Sequence, residues 1–181
     1  MMMREPLYYD RFPSPLGEIL AAVSSEGVYA LTWRQDEERF VRRLEEEWGG
    51  PVLRDPERLR PLFRQLEDYF AGRALAFDLP LDLRRLTPFQ REVLEAACRI
   101  PPGQTASYGE LARWVGRPRA ARAVGQAMAR NPIPLVIPCH RVIASDGSLG
   151  GYGGEEGLAV KAWLLRWERG ERRPPPHPLP R

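Results

Sequence analysis

The sequence predicts an α+β fold: a small antiparallel sheet with helices, followed by a mostly helical unit that carries a helix-turn-helix. Three observations predict it. Residues 7–33 hold three short runs rich in β-branched and aromatic residues, separated by turn residues. From residue 36 onward apolar side chains recur at helical spacing, behind capping residues. The charge also changes sign along the chain: residues 1–83 carry a net −5, residues 84–141 a net +7 and residues 142–181 a net +1.

"LYYDRF", "GEILAAVSS" and "GVYALTW" read as the strands of a meander, with "PSPLG" and "SEG" as its turns. "DEERFVRRLEEEW" follows as a helix, with Asp36 near its start and Phe40, Val41, Leu44 and Trp48 on its apolar face. A second helix, "PERLRPLFRQLEDYFAG", sets Leu59, Leu62, Phe63, Leu66 and Phe70 in one stripe, with Gly72 past its end. Both stripes are core. "AFDLPLDLRRL" is an extended connector. The predicted organisation is a scaffold domain over residues 1–83, a second domain over 84–170, and a loose Pro-rich tail over 171–181.

In the second domain Thr87 is placed as N-cap, Pro88 at the first helical position and Gln90 at the third. That helix has the stripe Phe89, Val93, Leu94, Ala97 and Cys98, so Cys98 reads as a small buried core residue. The capping box Ser107–Glu110 opens the next helix, and Gly116-Arg117-Pro118 turns the chain. "RAARAVGQAMARN" is the following helix, ended by Asn131 and Pro132. Two short helices joined by a tight turn containing glycine form a helix-turn-helix candidate. The second of them is rich in small residues, among them Ala120, Ala121, Ala123, Gly125, Ala127 and Ala129. Such a face suits tight helix packing, or a backbone that approaches a nucleic-acid groove. Arg122 projects beyond these small neighbours. "GLAVKAWLLRWERGE" is the last helix, with Ala159, Trp163, Leu164 and Trp167 inward and Glu168 near its end.

Composition narrows the class. The chain has 181 residues, 43% of them hydrophobic, which is enough for a real core. No apolar run approaches the roughly 18 residues of a transmembrane span. The start "MMMREPLYYD" has no hydrophobic stretch of signal-peptide length, so the expected compartment is the cytoplasm, with no membrane partner. Two cysteines allow at most one disulfide, and a reducing compartment disfavours it. The sulfur and imidazole ligands are Cys98, Cys139, His140 and His177; a tetrahedral metal site would need all four from three distant places, so no metal is expected. The Arg-rich middle suits a polyanionic partner, or else a solvated surface.

The chemistry concentrates in "NPIPLVIPCHRVIASDGSLGGYGG", residues 131–154. An apolar run stops at Cys139, between Pro138 and His140, and a glycine-rich loop follows. A thiol reacts as the thiolate, and a neighbouring histidine or positive charge raises the thiolate fraction. A carboxylate often orients that histidine; Glu168 or Glu171 could do so here. Adjacent residues on an extended chain point opposite ways, so Cys139 and His140 need a turn or a bridging water. From the residues alone Cys139 is a packed thiol, a metal ligand or a nucleophile.

The stretch closely resembles the active-site signature of the O6-alkylguanine-DNA alkyltransferases, whose core is Pro-Cys-His-Arg-Val, residues 138–142 here. "TASYGELA", "AARAVGQAMARNP" and "GLAVKAWLLRWE" are similar to further motifs of that family, in the same order. The resemblance covers about residues 87–170, and residues 1–83 fit the family's more variable N-terminal domain loosely. It implies a ribonuclease-H-like scaffold for that domain. It also implies direct, stoichiometric repair of alkylated double-stranded DNA by a monomer that works from the minor groove without a cofactor. Cys139 would take the alkyl group. His140 would draw off the thiol proton through a bridging water, and Glu168 would orient the ring. Tyr108 would give a proton to the leaving guanine, and Asn131 would brace the turn before an active-site strand. Backbone groups at Cys139, Val142 and Gly153 would read the guanine edge, and Met128 and Pro134 would line the pocket. Ala121 and Gly125 would lie in the groove, and Arg122 would fill the gap left by a flipped nucleotide. Some relatives bind zinc in the N-terminal domain, and this chain lacks those ligands. It also inserts Glu155-Glu156 between Tyr152 and Lys161. Two rivals stand beside this reading: a lesion-binding relative that does not transfer, a class in which the cysteine is replaced, and a hydrolase using Cys139, His140 and Glu168.

Overall fold

A computed structural model describes residues 3–152 and 154–175. The predicted site residue Gly153 and the histidine of the tail, His177, lie outside the described residues. The chain divides into two compact units between Arg84 and Arg85.

The first unit is built on a meander, β1 (Leu7–Ser14), β2 (Gly17–Ser24) and β3 (Gly27–Thr32). Its hairpins are antiparallel. A fourth strand, β4 (Val52–Arg54), pairs in parallel with β1, which gives the order β3-β2-β1-β4. The sheet is therefore mixed rather than antiparallel throughout. Three residues are too few to show an alternating pattern, and β4 exists only through its pairing with a distant strand.

Helix α1 (Glu37–Trp48) starts at Asp36, whose carboxylate accepts from the Arg39 amide at 2.8 Å, and stops at left-handed Gly49. It buries Phe40, Leu44 and Trp48 against Leu7, Leu20, Ala22 and Tyr29, while Val41 is half-buried. Helix α2 (Pro56–Phe70) buries Leu59, Leu62, Leu66 and Tyr69. These positions step by three, four and three, so Tyr69 takes the place expected of Phe70, and Phe63 and Phe70 are half-buried. The connector is extended and pinned along β3: the Val28 amide donates to Pro80 O at 2.9 Å, and the Asp82 amide to Val28 O at 2.8 Å. Asp82 is buried. It accepts from Ser24 Oγ at 2.5 Å and from Arg84 at 2.8 Å. Burial opposes its charge, but the Arg84 guanidinium and the Ser24 hydroxyl win and hold the carboxyl down at about 2.

The second unit contains α3 (Pro88–Ala97), β5 (Ala106–Ser107), α4 (Tyr108–Trp114), α5 (Ala121–Ala129), β6 (Val142–Ile143) and α6 (Gly154–Glu168). Complete capping boxes start α3 at Thr87–Gln90 and α4 at Ser107–Glu110. Gly116 turns the chain between α4 and α5 at φ +74°, a conformation that costs glycine little. β5 pairs in parallel with β6, so the start of α4 lies beside the segment that follows Cys139.

Three expectations are corrected here. Cys98 is exposed at the C-cap of α3, although its backbone keeps the helical course four residues after buried Leu94. Although its surface is open, the protein packed around the helix end raises its thiol to about 11. Ala159 is exposed too; α6 buries Val160, Trp163, Leu164 and Trp167, which keep the helical step. Residues 171–175 are not loose. Trp163 Nε1 donates to Arg173 O at 2.8 Å, the Arg172 guanidinium lies 4.4 Å from the Trp167 ring centroid, and Pro175 is buried. Among the described residues no helix is long and apolar enough to cross a membrane.

Candidate active site

Asn131, just past the end of α5, braces the segment that follows. Its Nδ2 donates to Ile137 O at 2.9 Å, and its Oδ1 accepts from the Ile133 amide at 2.9 Å. Between those points Leu135 is fully buried at φ +74°, a left-handed conformation that non-glycine residues seldom hold unless their surroundings impose it. The segment does not lead into a strand. Pro138, at ψ 63°, turns the chain into one turn of 3₁₀ helix over Cys139–Arg141, and β6 begins only at Val142. The expected active-site strand is therefore a tight turn. It buries Cys139, His140 and Arg141 in succession.

His140 is fully buried, and its Nε2 lies 2.9 Å from Glu168 Oε2. Arg141 clamps the same carboxylate, donating from Nε to Oε1 and from a terminal nitrogen to Oε2, both at 2.8 Å. A further Arg141 nitrogen donates to Ile100 O at 2.7 Å. Burial works to raise the Glu168 carboxyl, but Arg141 and His140 hold it well below the usual carboxylate range. An ionised Glu168 only accepts, so the His140 proton sits on Nε2 and the lone pair on Nδ1. Burial lowers the His140 pKa, and the Glu168 charge that would raise it is already shared with Arg141. The ring is neutral at pH 7, and its buried Nδ1 makes no hydrogen bond among the described residues. Glu171, the other carboxylate considered for His140, pairs with Arg166 at 3.7 Å instead.

Cys139 is 5% exposed. Burial pushes its thiol up; the neighbouring Asn131 and Tyr152 side chains and the charge of Lys161 pull it down. Tyr108 opens α4, half-buried, and desolvation raises its phenol while the Gly151 amide donates to it. Gly150 passes so close that a Cβ there would lie 2.6 Å from Tyr108 Oη. Gly125 on α5 faces the same ring, at an ordinary 3.9 Å for an added Cβ. Met128 and Val142 are buried, while Pro134 and Ala121 are half-buried. Arg122 is exposed on α5. The Val142 carbonyl uses one of its two lone pairs to accept from Lys161 Nζ at 2.7 Å.

Cys139, His140, Glu168, Tyr108 and Asn131 thus come together, and Arg122 stands apart on the outer face of α5. Sequence reasoning missed Arg141, Tyr152 and Lys161. A signal for Lys161 was present: it is the one lysine among 27 basic residues. Among the described residues no group of three or more His, Cys, Asp or Glu side chains could hold a metal ion.

Residues 88–170 match the family described as "6-O-methylguanine DNA methyltransferase, DNA binding domain", and residues 7–83 match its "ribonuclease-like domain". The chain belongs to the 6-O-methylguanine DNA methyltransferase family. It is 42% identical to the methylated-DNA–protein-cysteine methyltransferase of Methanosarcina barkeri, across 92% of this chain and 100% of that one. Its identity to the constitutive enzyme of Bacillus subtilis is 39%, across 90% and 95% of the two chains. The fold of this methyltransferase family member superposes on Mycobacterium tuberculosis OGT in complex with DNA at a TM-score of 0.78, with 40% identity over 92% of this chain and 95% of that one. The O6-methylguanine-DNA methyltransferase of the hyperthermophilic archaeon Pyrococcus kodakaraensis gives a TM-score of 0.63, with 28% identity over 90% and 98%. The first unit of this family member is thus its ribonuclease-like domain, and the second its DNA-binding domain.

Proposed function

We propose that this methyltransferase repairs DNA by moving an alkyl group from O6 of guanine to Cys139, once per molecule. One observation carries the reading. A buried cysteine directly precedes a buried neutral histidine whose tautomer is set by an ionised glutamate, leaving Nδ1 as the base. His140 Nδ1 takes the Cys139 proton through a bridging water. The thiolate attacks the alkyl carbon, a sulfur–carbon bond forms, and the carbon–O6 bond breaks with its electron pair on the purine. Tyr108, held protonated by its raised pKa, returns a proton to the departing guanine. The thioether has no easy leaving route, so the protein acts once.

O6 of a stacked guanine is out of reach of a buried thiol, so the base must be extruded. α5 enters the minor groove, where Ala121 and Gly125 allow close approach and Arg122 fills the gap in the stack. Met128 and Pro134 line the pocket, and the backbone of Cys139 and Val142 reads the base. The protein works as a monomer in the cytoplasm. A lesion-binding module does not need the thiol that this chain retains.

Incubation with methylated duplex DNA and weighing of the intact protein tests this. A permanent gain of one methyl, mapped to Cys139, is expected. Cys139→Ser should bind the lesion and gain nothing, because a hydroxyl ionises far less readily than a thiol. Binding without a mass change would favour the lesion-binding module, turnover of an ester or amide would favour a hydrolase, and a methyl on Cys98 would mean the wrong thiol.

A further inference from the structure

Lys161 is the chain's only lysine, and it is fully buried on α6. Its ammonium donates to the carbonyls of Val142 at 2.7 Å, Leu149, and Gly151 at 3.4 Å. Nζ lies 5.8 Å from the Tyr108 ring centroid and 6.0 Å from that of Tyr152. Among the described residues no carboxylate pairs with it. A buried ammonium held by carbonyls and ring faces alone is costly, and an anion nearby would offset that cost. The titratable groups around it are Cys139, His140, Tyr108 and Tyr152. Of these, Cys139 is the one that must be an anion for the attack on the alkyl carbon. Burial lowers Lys161 to about 8, and the Cys139 charge raises it in return.

The three carbonyls belong to two different segments. Val142 starts β6, directly after the Cys139 turn, whereas Leu149 and Gly151 lie in the loop over Tyr108. One ammonium therefore ties the loop to the turn that carries the thiol. An arginine would keep the charge, but its planar fork cannot converge on three carbonyls from one point.

We propose that Lys161 is a positioning residue that serves as counter-charge to the Cys139 thiolate as it forms. The proposal rests on the reading of Cys139 as the alkyl acceptor.

Reaction with iodoacetamide tests the counter-charge without DNA, because the thiolate displaces iodide on its own. Rates are followed from about pH 5 to about pH 10, with peptide mapping to separate Cys139 from Cys98. In Lys161→Met the midpoint for Cys139 should rise by about one pH unit or more, and Lys161→Arg should restore much of the shift. An unchanged midpoint with a slower rate at every pH would overturn the counter-charge, since that is what lost packing alone produces.

Discussion

His140 sets the electrostatics of the site, because its neutrality leaves Nδ1 free to take a proton. An ordinary histidine binds a proton near pH 6.5. Folded His140 has a lowered pKa and does not, so below about 6.5 the unfolded chain binds more protons and stability falls with pH. Glu168 acts in a lower window: its depressed pKa contributes stability that is present above about pH 4.3 and is lost as pH falls toward the folded value. Thermal melts between about pH 8 and about pH 5 should show Tm falling below pH 6.5 in the wild type, and a flatter curve in His140→Gln. Parallel curves would mean that the imidazole is not buried in its neutral form. Gly150 gives a second test at this scale. Its φ is +71°, and a Cβ would meet Tyr108 Oη at 2.6 Å, so Gly150→Ala must displace the loop or the phenol. The alkyl-transfer rate should drop more than about tenfold, equivalent to roughly 1.4 kcal/mol at the transition state, with DNA affinity little changed. A wild-type rate would show that the phenol's position does not matter.

At the scale of elements, α5 separates recognition from chemistry. Its inner face buries Val124, Ala127 and Met128, and Arg122 stands exposed on the other side. Arg122→Ala should therefore leave the surroundings of Cys139 intact while removing the side chain proposed to fill the gap after base extrusion. Extrusion costs a few kcal/mol, and a loss of about 1.4 kcal/mol of stabilisation slows duplex repair roughly tenfold if flipping is a rapid pre-equilibrium. Free O6-benzylguanine needs no flipping, so its reaction with Cys139 should be nearly unchanged. Equal slowing of both substrates in single-turnover measurements would make Arg122 a structural residue and defeat the reading of this helix.

For the whole molecule, the charge is divided as the two domains are. The ribonuclease-like domain is acidic, whereas residues 88–141 of the DNA-binding domain carry a net +5. Affinity for duplex DNA should fall with salt, log affinity dropping by about 0.9 per unit of log salt for each phosphate neutralised. Binding titrations at several salt concentrations should give a steep line with little dependence on sequence, since the minor groove presents a degenerate pattern. A flat line would mean that the arginines are merely solvated.

The sequence by itself determined the elements whose signals are local. Asp36, Thr87–Gln90 and Ser107–Glu110 cap their helices within one turn, and the meander strands alternate between their own turn residues. The motif around Cys139 was legible for the same reason, since its residues adjoin one another. What lies far apart in the chain was not legible. β4 exists only through β1, and the 3₁₀ turn that buries Cys139 with His140 depends on Asn131 holding the residues before it. Cys98 sat on the right stripe, four residues after buried Leu94, yet it is exposed at the C-cap. Only the tertiary structure decided that Arg141 and His140 share Glu168, and that the one lysine lies under the loop beside the thiol. Local propensity acts within a few residues, whereas an ion pair or a buried ammonium depends on which segments packing brings within about 3 Å of each other.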